Sequence, residues 1–250
     1  MTTHFKDHFS TGSANYAAHR PSYPPRLVEE LAALSPGRGL ALDCGCGTGQ
    51  LSVLLAERFE RVVATDASAA QIDKAQAHPR VDYRVALAED SGLAAASVDL
   101  VTVAQAAHWL ALPRFYQEAR RVARADAILA LVTYGVLHVD GPMEPLLQHF
   151  YHQVVGPYWP AARRHVEEGY RNLPVPVEER RLPALAIEGE WSGDDLLGYV
   201  GTWAAVKEAG KALGQDPVVA FAAQLREAWG DPWLRRRVRW PLTVRAGMLR

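Results

Sequence analysis

The stretch Leu40-Ala41-Leu42-Asp43-Cys44-Gly45-Cys46-Gly47-Thr48-Gly49-Gln50 begins as a short apolar run, ends that run on a carboxylate, passes three alternate glycines and opens into a helical pattern. A buried strand, a glycine turn and a helix in that order start a parallel α/β unit. Gly45, Gly47 and Gly49 accept positive φ and leave bare main chain for a ligand to touch. A turn of this kind at the carboxyl end of a first strand lies where doubly wound sheets bind their ligands.

Outward from the turn the alternation repeats. Apolar runs at 40–43, 61–66, 81–86, 100–104 and 127–133 are separated by helical patterns at 50–59, 68–77 and 114–123, with Ser68 in a capping position. The pattern predicts an α/β fold, a doubly wound, Rossmann-like parallel sheet with helices on both faces. Residues 1–39 form a proline-punctuated N-terminal cap with one helix at 26–34, and residues 40–134 form the ligand-binding half. Residues 135–180 read as a helical insertion over the sheet. Strand character returns at 184–191 and 238–244, so residues 181–250 complete a single domain spanning 1–250.

Composition narrows the partners. The 250 residues are 49% hydrophobic and 22% charged, enough apolar material for a core and too much for a disordered chain. Lys plus Arg number 27 against 28 for Asp plus Glu, so the net charge of -1 attracts neither nucleic acid nor an anionic membrane. Cys44 and Cys46 are too close for an ordinary disulfide and lack the second pair of a zinc site. With no basic-apolar signal at the start, the reading is a cytoplasmic protein acting on a small molecule, its oligomeric state open. His149 and His152 lack a third ligand in sequence, and no metal is expected.

Asp43 separates the candidate ligands, while Asp66 suits the ribose that both of them carry. A pyrophosphate would avoid a carboxylate beside the turn, whereas an ammonium or sulfonium group gains from one. Asp66 closes the second strand 17 residues after Gly49, where a carboxylate can accept both ribose hydroxyls. S-adenosylmethionine has both cations, a ribose and no phosphate. The nicotinamide alternative meets a broken G-x-G-x-x-G pattern, with Gln50 or Ser52 at the last position.

Asp43-x-Gly45-x-Gly47-x-Gly49 followed by Asp66 resembles motifs I and II of the class I S-adenosylmethionine-dependent methyltransferases. Tyr16, Arg20-Pro21-Ser22-Tyr23-Pro24, Gln105-Ala106-Ala107-His108-Trp109, Gly156-Pro157-Tyr158-Trp159 and Thr202-Trp203 are similar to its trans-aconitate methyltransferase-like branch. The resemblance implies a seven-stranded sheet with 184–191 as the sixth strand and 238–244 as an antiparallel seventh. It implies that Gly45, Gly47 and Gly49 face the methionyl and ribose part of the cofactor, that Asp43 helps hold the amine, and that Asp66 holds the ribose. Ala67 and Ile72 would flank adenine, Ala88 and Glu89 would meet its edge, Gln105 would lie near the point of transfer, and Tyr16 and Arg20 would close the pocket. The family often has Pro-Gly-Gly before its fifth strand, where this chain has Arg124-Ala125-Asp126-Ala127.

Methyl transfer is an in-line displacement in which alignment does most of the work, roughly 7 to 11 kcal/mol of barrier. A carboxylate acceptor is already a nucleophile at neutral pH. The resemblance points to such an acid, for which Arg20, Arg163 and Arg164 are candidate forks. His108 reads either as a base or donor at the acceptor or as a structural loop histidine. Trp109, Tyr158, Trp159 and Trp203 are candidates for an aromatic wall. Arg235, Arg236, Arg237 and Arg239 read as a solvated face. A protein that binds S-adenosylmethionine without turnover is the rival from another class.

Overall fold

The computed structural model describes residues 22–250. Helix α1, Pro25–Leu34, starts with proline at its first position, where the missing N–H costs nothing. It buries Leu27, Val28, Leu31 and Ala32 on one face. Five parallel strands follow: β1, Leu40–Cys44; β2, Arg61–Asp66; β3, Val81–Val85; β4, Val98–Ala104; and β5, Ala123–Tyr134. They lie in the order β3-β2-β1-β4-β5. The helices between them are α2, Gln50–Leu55; α3, Ala69–Ile72; and α4, Leu112–Val122.

Both faces of this sheet are covered, which is why the strands read as apolar runs. Ala41, Val62 and Leu100 point into one buried cluster, and their neighbours Leu42, Val63 and Val101 into the other. Strand order reverses at β1, which pairs with β2 on one side and β4 on the other. The crevice at the carboxyl ends of β1 and β4 is therefore the switch point of the sheet.

The second half departs from the expected outline in detail. Two-residue β6, His138–Val139, is followed by helix α5, Glu144–His149, a π-helical turn at Phe150–Val154, a 3-10 turn at Gly156–Tyr158 and helix α6, Arg163–Glu167. Three-residue β7, Val177–Glu179, leads to β8, Leu185–Trp191. Helices α7, Gly193–Gly201, α8, Ala204–Leu213, and α9, Val218–Trp229, precede the long β9, Arg236–Leu249. Strand β9 runs antiparallel to β5, as expected of the last strand, and β6, β7 and β8 all pair with it. Among the described residues the sheet thus has nine strands, where seven were expected, because both ends of the insertion add a short strand to β9. Backbone groups brought beside a sheet edge pair with it.

Three local expectations meet the structure with different outcomes. The helices at 50–59 and 68–77 are shorter, ending at Leu55 and Ile72, and the Ser68 side chain makes no capping bond. The Arg124–Ala127 stretch belongs to β5, with Asp126 at φ 63 in the conformation a glycine would otherwise take. Arg124 Nη1 donates to Asp99 at 3.0 Å, and Asp99 also accepts the Gly39 and Leu40 amides at 2.9 and 3.0 Å, tying the start of β5 to the start of β1. The arginines before and in β9 form the solvated face expected of them, Arg235, Arg237 and Arg239 being exposed and Arg236 half-buried. Arg237 pairs with Glu188 at 2.6 Å, and Arg236 lies over the Trp229 ring at 5.5 Å.

Candidate functional site

The glycine turn keeps its shape through close approach and the Asp66 carboxylate. Gly49, at φ 88, lies against the Tyr83 phenol, and a Cβ there would come within 2.1 Å of its oxygen. Gly45, at φ 66, would meet the Ala106 methyl at 2.6 Å. Asp66 accepts the Gly47 amide at 2.9 Å on one oxygen and the Ser68 amide at 2.8 Å on the other. It remains half-buried at the rim, with lone pairs to spare for hydroxyl donors.

Asp43 sits deeper than a rim carboxylate. It is 1% exposed and accepts the Ser52 hydroxyl at 2.6 Å and the Thr102 hydroxyl at 2.8 Å. Burial raises its pKa to about 6 against the pull of those two hydroxyls, and Asp66 pushes the same way. The carboxylate binds α2 and β4 together directly under the turn. Serine and threonine in otherwise apolar runs, in register with an acid, were the sequence signal for this cluster.

On the other side of the crevice Gln105 takes φ 54 at the end of β4, a conformation non-glycine residues rarely hold. Its Nε2 donates to the Tyr134 carbonyl at 2.9 Å, and its Oε1 accepts the Thr133 hydroxyl at 2.9 Å. That turn carries Ala106 onto Gly45, so the β4 loop and the glycine turn are in contact. Ala88 is buried, Ala67 and Ile72 are half-buried, and Glu89 accepts the Ala111 amide at 2.7 Å, joining the loops after β3 and β4. Tyr16 and Arg20 lie outside the described residues.

His108 stands in a 3-10 turn at Ala107–Trp109, its Nδ1 2.9 Å from the Tyr170 phenol oxygen. Burial, with the Arg163 and His165 charges, lowers its pKa to about 4, so the ring is neutral at physiological pH. Tyr170 is fully buried at φ 57 and gives its carbonyl to Arg245 at 2.7 Å. Nothing in the sequence pattern singles Tyr170 out, because it reaches the loop only through the folded insertion. Trp109 is 41% exposed beside His108.

The two arginines of α6 diverge. Arg163 donates from Nε to the Tyr151 hydroxyl at 2.9 Å and lies over the Trp159 ring at 5.0 Å. Arg164 is exposed and paired with Glu168 at 2.6 Å. Both border a hollow of about 270 Å³ with Tyr151, Trp159, Pro160 and Glu167. Trp203 is a packing residue rather than part of a ligand wall: it is 8% exposed and wedged among Tyr151, Trp159 and Tyr199. Tyr158 packs half-buried against the same cluster. Among the described residues no group of three or more His, Cys, Asp or Glu side chains is placed to hold a metal ion, and no helix is long and apolar enough to cross a membrane.

Residues 42–131 match a family model described as a methyltransferase domain. A methyltransferase-named protein of Dictyostelium discoideum is 31% identical over 231 residues, covering 91% of this chain and 88% of that protein. A solved structure from Anaeromyxobacter dehalogenans, named for a type II methyltransferase, is 51% identical, with a TM-score of 0.88 over 92% of this chain and 97% of that one. A malonyl-acyl-carrier-protein O-methyltransferase of Geobacter sulfurreducens is 31% identical over 149 residues, 55% of this chain and 54% of that protein.

Proposed function

Because the chain belongs to the class I S-adenosylmethionine-dependent methyltransferases and is an enzyme acting on a small molecule, we propose that its acceptor is a carboxylic acid methylated on oxygen. The observation that carries the acid is Arg163. Its guanidinium borders the hollow on a helix that packs against the His108 turn, with a side chain only 23% exposed, and an arginine so held is oriented before any ligand arrives. A relative named for O-methylation of a malonyl group supports the same chemistry.

S-adenosylmethionine supplies a methyl group on a positively charged sulfur, which needs no acid catalyst to leave. The residues at the crevice fit that cofactor: bare backbone at Gly45, Gly47 and Gly49 and a rim carboxylate at Asp66 with hydroxyl-accepting capacity. In this reading Asp66 takes the ribose, and Asp43 contributes negative charge beneath the turn. Ala67, Ile72, Ala88 and Glu89 border adenine, and Gln105 shapes the point of transfer. Arg163 orients the acid, Trp159 and Trp109 exclude water, and Arg164 plays a lesser part. The reading extends to the trans-aconitate methyltransferase-like branch and to a reduced, cytoplasmic setting for the free thiols Cys44 and Cys46.

The test is calorimetry with S-adenosylhomocysteine followed by a turnover screen over small carboxylic acids, amines and phenols. Turnover of acids lost on Arg163→Gln supports the proposal. Turnover of amines or simple phenols alone removes it.

A further inference from the structure

Residues 86–97 cross from β3 to β4 without the helix that each of the other parallel crossovers carries. A loop of that length keeps its place through bonds to its surroundings. It leaves the strand ends beside Asp66, whose carbonyl accepts the Ala86 amide at 3.0 Å, and reaches the loop after β4, where Glu89 Oε1 accepts the Ala111 amide at 2.7 Å. In between it passes the end of β1: Ala88 is buried in the cluster that contains Cys44, and the Cys44 thiol feels the charges of Glu89 and Glu118. Glu89 thus stands at the rim of the crevice. Ala111 is the capping position of α4, a helix with no side-chain cap and no acid in its first turn, so Glu89 supplies both from outside. Among the described residues nothing hydrogen-bonds its second oxygen.

The same loop is tied a second time to the same helix. Glu118 lies about two turns along α4 from Ala111, on the same face, and its side chain leans back toward the start of the helix. Its Oε1 accepts the Ser91 hydroxyl at 2.6 Å and the Ser91 amide at 2.9 Å. Arg121, at 2.7 Å to each oxygen, balances the charge. With Arg121 alone Glu118 would be an ordinary surface pair contributing little; bonded to Ser91 it lies under the loop, 7% exposed. We infer that Glu118 is a positioning residue for the cofactor: through Ser91 it fixes the loop after β3 so that the second oxygen of Glu89 meets the amino group of adenine, and selection of a 6-amino purine depends on it. A purine with oxygen at that position would turn a lone pair toward the carboxylate. The inference rests on the reading that Glu89 borders adenine.

Calorimetric titration with S-adenosylhomocysteine and with S-inosylhomocysteine, which carries oxygen in place of the amino group, reads this as a ratio of affinities. The wild type is expected to prefer the adenosyl form at least about tenfold. Glu118→Ala and Ser91→Ala should each cut that ratio at least about threefold, while Glu118→Gln, which keeps an oxygen for Ser91, and Arg121→Gln, which keeps the clamp, stay within about twofold of the wild type. A merely structural Glu118 would lower stability or weaken both ligands alike and leave the ratio where it was. An unchanged ratio in Glu118→Ala and Ser91→Ala overturns the inference, and so does an unchanged ratio in Ser91→Ala alone if the other variant fails to fold. Glu89→Gln separates the two layers. A ratio equal to the wild type's there overturns the adenine reading of Glu89 and the inference with it. A preference lost in Glu89→Gln but kept in Glu118→Ala overturns the inference and leaves the adenine reading standing.

Discussion

The two walls of the crevice are built from different materials. On the wall formed by β1 and β2 the exposed surface is main chain, held by carboxylates that lie within a few residues of it or one strand away. On the side of the β4 loop and the helix α6 packed against it, it is side chains, and those of the loop are held by partners far along the sequence, Tyr170 for His108 and Thr133 for Gln105. Backbone shaped by glycine can accept one ligand in one orientation. A wall of side chains can change its ligand by substitution without disturbing the sheet.

The contrast breaks first at Gly49. Alanine there collides with Tyr83 and holds a left-handed φ costing about 1 to 2 kcal/mol by itself. We expect S-adenosylhomocysteine affinity to fall more than about 100-fold by calorimetry, and a loss under tenfold would show that the turn is not the cofactor's seat. Asp66→Ala removes an acceptor of two amides and of the expected ribose bonds, each charge-assisted bond worth about 1.5 to 3 kcal/mol. A loss of about 100-fold in the same titration is expected, with acceptor KM unchanged.

Asp43 sharpens the comparison through pH. Its folded pKa of about 6 lies above the unfolded value of 3.8, so the native state binds the extra proton between those values and loses stability as pH rises through them. Above that window the ionised group costs on the order of 3 kcal/mol. Asp43→Asn should match the wild type at pH 4, gain stability progressively to pH 6 and hold about 1 to 3 kcal/mol at pH 7, while binding S-adenosylhomocysteine about tenfold more weakly. Denaturant melts at four pH values decide it, and a gain already present at pH 4 would point to packing instead. On the opposite wall Arg163→Gln should raise the KM for an acid about 10- to 100-fold and change cofactor affinity less than about twofold. Arg164→Gln should leave both within about twofold, since its exposed pair with Glu168 contributes little.

The same division governs what could be read from the sequence. The parallel strands, their order of appearance, the glycine turn and Asp66 were legible because each depends on a local pattern. Buried runs have period and length, and glycine has a conformation of its own. The depth of Asp43 was not, since its hydroxyl partners come from α2 and β4 and only the register of β1 against β4 brings Thr102 beside it. Asp126 taking a glycine's conformation was equally hidden, because Asp99 and Arg124 hold that corner from outside. The short strands β6 and β7 carry no strand signal, since their pairing is imposed by β9. Trp203 read as a ligand contact because an aromatic side chain looks the same in sequence whether it faces a cavity or fills a core.

The dependence of β6, β7 and β8 on β9 also sets an order of assembly during translation. β9 leaves the ribosome after β5, β6, β7 and β8, every segment it pairs with. The nascent chain can assemble β1 to β5 early, from short-range crossovers, but the cover holding Tyr170 and Arg163 has no seam to fasten to until β9 emerges. A chain stalled before that point would present the glycine turn to solvent with nothing to select what enters beside it.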